Sequence, residues 1–464
     1  MESEGSNYKR YYTLIFSLFY LFEGFHQTIP ATQSISLYLT YKGQPFDIAI
    51  LAQISGILIL PWSVKFIVGL INDKWGSERF GRRFPFIIGF GTLCGVTWIL
   101  QGIFLPPDNR IYMNLLVFGI FSNIGMAYAD TAIDGLILDV TPKNKLARVQ
   151  AYTWTCLLIG GGFGAVVLGL LFLYLDMVPV LFAITGIFII FSSACVYWIT
   201  EPPLEENKNV WGDIKKLVLT PKNWKMYLYT YADRIPCTIL GMLYMYFVMQ
   251  GLGIIDINDT LVSLQGGAQK DEMAFGVILL SAASGLGTMI GSILTGRIAD
   301  RSRKKAVYIS FGSFFVIALA ANLLHGASIL GWVLGIIGHI MLGFSSGGIS
   351  TTGQTIRGDY AKKEFPMLKS TFYSVLISFS NLGLSTGNFL GSGIFISLAS
   401  FTFQFNLLFL IVSLICVGIM LLVFLVFKII DPKDYEFEKF IKTTNKEDSR
   451  TKEKIQGEKF SHIG

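Results

Sequence analysis

Apolar runs of about 20 residues, the length that crosses the hydrocarbon core of a bilayer, recur along nearly the whole chain. Short polar or basic turns separate them. The runs are too long for barrel strands and lack strand alternation, so the pattern predicts membrane-spanning helices. Spans are expected over roughly residues 11–39, 47–72, 84–104, 111–140, 147–173 and 177–199, then over roughly 226–250, 272–299, 304–325, 328–358, 367–398 and 404–429. The fold class is therefore all-α: a polytopic membrane protein with twelve transmembrane helices, six and six.

The two sixes look related. Between the second and third spans runs PWSVKFIVGLINDKWGSERFGRRFPF, from Pro61 to Phe86, in which a helix carrying Lys65 ends at Gly69 and Asp73 and a basic turn with Arg82 and Arg83 follows. At the matching place in the second six, Gly296, Asp300, Arg301 and Arg303 form a second copy with Lys304 and Lys305. The fourth and tenth spans also align: Asp139 matches Asp359, whereas Asp134 faces Gln354 and Asp130 faces Ser350. One half keeps buried carboxylates and the other has neutral polar groups. Both turns resemble the G-x-x-x-D-R/K loop signature of the major facilitator superfamily, although the first is stretched before Gly81 and the second has Arg303 where that family often has Gly. The resemblance implies two pseudo-symmetric six-helix bundles that rock about a central site. It also implies a latch in which Arg82 or Arg83 meets Asp139, and Arg301 or Arg303 meets Asp359. The expected division is an N-terminal bundle (1–200), a cytoplasmic linker (201–225), a C-terminal bundle (226–430) and a charged cytoplasmic tail (431–464) that is solvated.

Composition agrees with the hydrophobic pattern. Of 464 residues, 52% are hydrophobic and 15% charged, against roughly a quarter charged in soluble domains. The mean hydropathy of +0.56 places the chain in the membrane. The net charge of +6 sorts by topology and gives no reading as a nucleic-acid binder. Lys and Arg crowd the loops on one side, and Lys42, Arg110 and Lys270 are nearly alone on the other, which puts both termini in the cytoplasm by the positive-inside rule. The N-terminus has no signal-peptide pattern, so the first span reads as a retained helix of a cell-membrane protein, expected to be a monomer. Five cysteines lie inside apolar segments without paired spacing, so no disulfide, metal site or cofactor is expected. The longest outer connection, Gly251 to Asp271, reads as a plain surface loop.

Ionisable groups inside the membrane are costly and mark function by default. Those inside the predicted spans are Glu23 and His26 in the first, Lys65 in the second, Asp130 and Asp134 in the fourth, Asp233 and Arg234 in the seventh, and His339 in the tenth. At about 1.5 Å per residue, Lys65, Asp130 and Arg234 come out roughly 12–13 Å from the cytosolic end of their spans. They would share one level near the membrane centre. Asp130 and Asp134 are four apart and share a face, so one can hold a proton while Lys65 neutralises the other; the alternative is a static Lys65–Asp130 pair that clips two helices. Glu23 and His26 read equally as a protonation relay or a structural pair. Arg234 is a candidate bidentate holder of an anion, with pairing to Asp233 or Glu23 as the alternative. His339 reads as a packing histidine.

The run from Pro61 to Arg83 and the Asp130–Asp134 segment further resemble the branch containing muropeptide permeases and acetyl-CoA transporters, and Arg79 to Phe86 resembles the sugar:cation symporters. What these likenesses imply is a secondary active transporter for a small polar or anionic organic solute, with protons as a second partner and the bilayer as its medium. A sugar:cation symporter is one alternative; a non-transporting receptor or an intramembrane enzyme is the other. The chain has no H-E-x-x-H, so an enzyme is not expected.

Overall fold

The computed structural model describes residues 8–28, 38–39, 42–74, 81–141, 143–162, 164, 175–201, 215, 217, 219–258, 261–264, 270–365, 369–399 and 404–436. The first six spans are α1 (Arg10–Thr28), α2 with α3 (Ile48–Ser63 and Phe66–Lys74), α4 (Phe84–Ile103), α5 (Ile111–Val140), α6 (Lys143–Gly162) and α7 (Val178–Cys195). The second six are α8 with α9 (Pro221–Ala232 and Ile235–Gly251), α10 (Lys270–Ala299), α11 (Arg303–Ala320), α12 (Ser328–Glu364), α13 (Lys369–Ala399) and α14 (Phe405–Ile429). This is the expected all-α architecture of twelve transmembrane units.

Among the described residues, seven segments are long and apolar enough to cross a membrane by length and composition alone. The eleventh span falls short because its face toward the second is polar. Asn381 donates to the Trp62 carbonyl at 3.1 Å, Ser385 to the Gly56 carbonyl at 2.7 Å and Ser392 to the Ala49 carbonyl at 3.0 Å. These bonds run along the seam where α13 packs on α2.

Two spans are broken where their charges lie. Pro61 sits inside α2, which stops two residues later at Ser63; the Val64 amide turns back to the Pro61 carbonyl at 3.3 Å and α3 restarts at Phe66. Lys65 occupies the break. The seventh span stops at Ala232, and Asp233 and Arg234 join it to α9, whose first turn contains Pro236. Charged side chains therefore leave the helices where the backbone itself is least regular.

Two expectations are corrected. The outer connection after α9 is not a plain loop: β2 (Ile255–Asn258) pairs antiparallel with β3 (Leu261–Leu264), and β3 also pairs with β1 (Phe46–Asp47), which precedes α2. Phe46 and Val262, register partners, are both buried, and β1 continues into α2 through Asp47, whose carboxylate caps the Ile50 amide at 3.0 Å. The start of the tail is also not solvated. Asp434 is buried and binds Lys222 at 2.8 Å and Lys363 at 3.4 Å, so residues 431–436 dock against the second half. Most of the linker, from 202 to 214, and the tail beyond 436 lie outside the described residues.

Candidate functional site

In the first half, α1 presents Tyr20, Glu23 and Gln27 one turn apart. The Tyr20 phenol donates to Asp134 on α5, and the Gln27 amide donates to Glu23 at 2.9 Å, leaving Glu23 Oε2 buried without a partner among the described residues. Lys65 reaches from the break in the second span to Asp130 at 2.6 Å, with its ammonium 5.3 Å from the Trp62 ring. Lys65 is 7% exposed and Asp130 4%. Asp134, one turn nearer the cytosolic end and about 9 Å inside its helix, is exposed. An exposed carboxylate at that depth faces water, not lipid.

His26 does not join this group. Its Nδ1 accepts from the Trp98 indole at 2.9 Å and lies 3.7 Å from the Cys94 sulfur, so the first span's two ionisable residues have different partners on different helices. His339 donates through Nδ1 to the Gly335 carbonyl at 2.8 Å and stacks on Tyr244.

In the second half, Asp233 turns to Arg357 of α12, and both side chains are fully buried. Arg357 also donates to the Thr230 hydroxyl at 3.4 Å. Gly353, one turn away, makes room: a Cβ there would lie 2.9 Å from Asp233 Oδ2. Arg357 was not among the sequence candidates because the tenth span was expected to end near residue 358. It runs to Glu364, which carries Arg357 about 10 Å into the helix. Arg234 is half-buried. It donates to Ser350 at 2.6 Å, and its Nε has no partner among the described residues. Tyr373 on α13 interacts electrostatically with Asp134 and Lys65 and also with Arg357 and Arg234.

The basic turns match across the repeat. Arg82 and Arg83 both bind Asp139, Arg83 at 3.1 Å, and Arg303 binds Asp359 at 2.8 Å. Arg301 and Asp300 are exposed at the surface, with Asp300 at a loose 4.0 Å from Arg303. The Asp73 side chain lies outside the described residues. A Cβ at Gly69 would lie 3.4 Å from the Thr131 methyl and one at Gly296 3.5 Å from the Thr351 methyl, the same close approach in each half. Glu201 and Glu436, absent from the sequence candidates, complete the match. Glu201 accepts the amides of Arg82, Arg83 and Phe84 at 2.8–2.9 Å. Glu436 accepts Ser302 Oγ and Lys304 N at 2.9 Å and Arg303 N at 3.2 Å. Each carboxylate closes the N-terminus of the helix that follows the basic turn, where free amides and the helix dipole favour an anion.

Twelve spans, an arginine–aspartate pair repeated in each half and buried charges from both halves define a polytopic membrane protein with a polar centre. Residues 12–366 and 267–457 match the Major Facilitator Superfamily. The chain belongs to that superfamily. Over 188 residues it is 26% identical to a folate-biopterin transporter of Synechocystis, a match covering 37% of this chain and 37% of that protein, so only about a third of the relative's length is spanned. Its fold is similar to the crystal structure of the nucleoside transporter NupG (TM-score 0.64, 12% identity, covering 90% of this chain and 98% of that one). It is also similar to the D-xylose-proton symporter (TM-score 0.59, 14% identity, covering 89% and 96%).

Proposed function

We propose that the protein is a secondary active transporter that moves a small polar or anionic organic solute across the cell membrane by alternating access, coupled to protons, with both termini in the cytoplasm. The carrying observation is Asp134, a carboxylate exposed about 9 Å inside a membrane helix, a depth at which a charge is tolerated facing water and not lipid. Two six-helix halves with polar groups converging between them suit a carrier whose site alternates between the two sides. Arg234 supplies the anion contact, since its Nε is an unused buried donor in a fork that binds carboxylate or phosphate bidentately. The bundle boundaries at 200 and 226 follow the ends of the sixth span and the linker, and monomeric operation requires no contact beyond the chain.

Substrate choice starts from the relatives. The name of the Synechocystis protein makes folate and biopterin the first probes; the likeness to muropeptide permeases and acetyl-CoA transporters rests on two sequence segments. The test is uptake of labelled folate or biopterin into proteoliposomes, with and without an imposed pH gradient. Accumulation that follows the gradient and is abolished by Arg234→Gln supports the reading. Purified protein that neither accumulates nor exchanges these or other organic anions refutes it.

A further inference from the structure

The acidic cluster of the first half carries more negative groups than its cation can match. Glu23, Asp130 and Asp134 surround one lysine, Lys65, and all four interact electrostatically. The other titratable groups facing them are Tyr20 on α1, Cys94 on α4 and Tyr373 on α13, while His26 is held by Trp98. Among the described residues, none of the groups facing the cluster is a second counter-cation. Uncompensated charge in such surroundings costs several kcal/mol, so the cluster holds protons in place of its full negative charge.

The three carboxyls are not equivalent. Asp130 is 4% exposed and bound to Lys65 at 2.6 Å, so its charge is matched and its oxygens are shut away from water. Glu23 is 2% exposed, with one oxygen on Gln27 and the other buried and unpartnered. Asp134 alone of the three is exposed, and the Tyr20 phenol fixes its orientation. We propose that Asp134, positioned by Tyr20, is the carboxyl that exchanges the coupling proton with cavity water, and that Asp130 is a fixed counter-ion of Lys65. This rests on the proton-coupled transport reading. In the exchange a hydronium proton passes to Asp134 Oδ and leaves again to water on the other side; no other bond changes. Tyr20 is a positioning residue, because a phenol can donate to the carboxylate and accept from the carboxylic acid, so it stays paired in both states.

The test is solute-free: infrared difference spectra of the purified, reconstituted protein during a pH titration, read at the carbonyl stretch of protonated carboxyls. The wild type is expected to show a titrating carboxylic-acid band that Asp134→Asn removes and Tyr20→Phe shifts in frequency. The double variant Lys65→Met with Asp130→Asn, which removes both charges of the static pair and strands neither, is expected to keep the band. A band that survives Asp134→Asn, a band lost in the double variant, or a wild type with no titrating carboxyl overturns the assignment. Because no solute is present, failed uptake counts against the transport reading and leaves this result to stand or fall separately.

Discussion

The three-stranded sheet ties the two halves together, because β1 belongs to the first and β3 to the second. If the halves rock, that ladder must open. It opens together with the polar seam: Gln53 donates to Ser392 at 3.1 Å, Ser392 to the Ala49 carbonyl at 3.0 Å and Ser385 to the Gly56 carbonyl at 2.7 Å. At about 1 kcal/mol net for each of these three and for each bond of the two-residue ladder, the outer closure is held by on the order of 5 kcal/mol. Cysteines at Asp47 and Leu261, register partners, have the roughly 5 Å Cα separation of a directly opposed antiparallel pair and fall within disulfide reach. Oxidising the Asp47→Cys, Leu261→Cys variant should abolish transport, and reduction should restore it. Asp47→Cys alone controls for the lost helix cap, a loss of about 1 kcal/mol. Ser392→Ala acts with the opposite sign. It removes two seam bonds, about 1–2 kcal/mol, and should raise the population opened outward by roughly 5–30-fold, read as labelling of a cysteine at Ser55 by an impermeant thiol reagent. Full transport by the cross-linked protein would refute the idea that this sheet separates during turnover.

The remaining predictions concern stability and the latches. Arg357→Met should destabilise the fold by about 3–5 kcal/mol, because it strands Asp233 without its buried partner; pairing it with Asp233→Leu should recover most of that in a thermal-unfolding double-mutant cycle, and additive losses would count against the pair. Glu201→Gln and Glu436→Gln should each cost about 1.5–3 kcal/mol, the range for hydrogen bonds to a charged group, since each carboxylate closes a helix start. Near-equal melting losses for the two would support equivalence across the repeat; a neutral effect of either would reject it. Gly135→Ala places a Cβ 2.5 Å from the Arg83 guanidinium carbon, so it should displace Arg83 from Asp139 and slow turnover at unchanged expression.

The spans were legible because the membrane enforces one rule, internal satisfaction of every backbone group, and long apolar helices obey it visibly. The arginine–aspartate pairing was legible for a related reason: Gly69, Arg83 and Asp139 have counterparts in Gly296, Arg303 and Asp359, and a pattern present twice constrains itself. What the sequence did not disclose depended on partners far away along the chain. Glu201 and Glu436 look like ordinary acidic residues beyond the last span of each half until the helix starts they close are placed beside them. Strands β1 to β3 are two to four residues long, too short for periodicity to register, and β1 pairs with β3 across more than 200 residues of sequence. Arg357 was hidden by a helix end misplaced by six residues, which made a buried cation look like a loop cation.

Comparing the halves separates what the repeat retains from what it varies. Each half keeps the glycine approach, the arginine on the aspartate at the end of its fourth helix and the glutamate on the following helix start. These groups hold each bundle rigid, which rocking halves both require. The centre diverges: where Asp130 binds Lys65, the aligned Ser350 accepts from Arg234. A buried carboxylate has become a hydroxyl, and the cation beside it comes from the seventh span instead of the second. The acceptor at Ser350 is neutral, so Arg234 keeps its positive charge uncancelled by that contact, while Asp233 beside it is committed to Arg357. Negative excess on one side and an available cation on the other follow from that exchange, and this asymmetry is what the proposed division of proton and solute sites rests on.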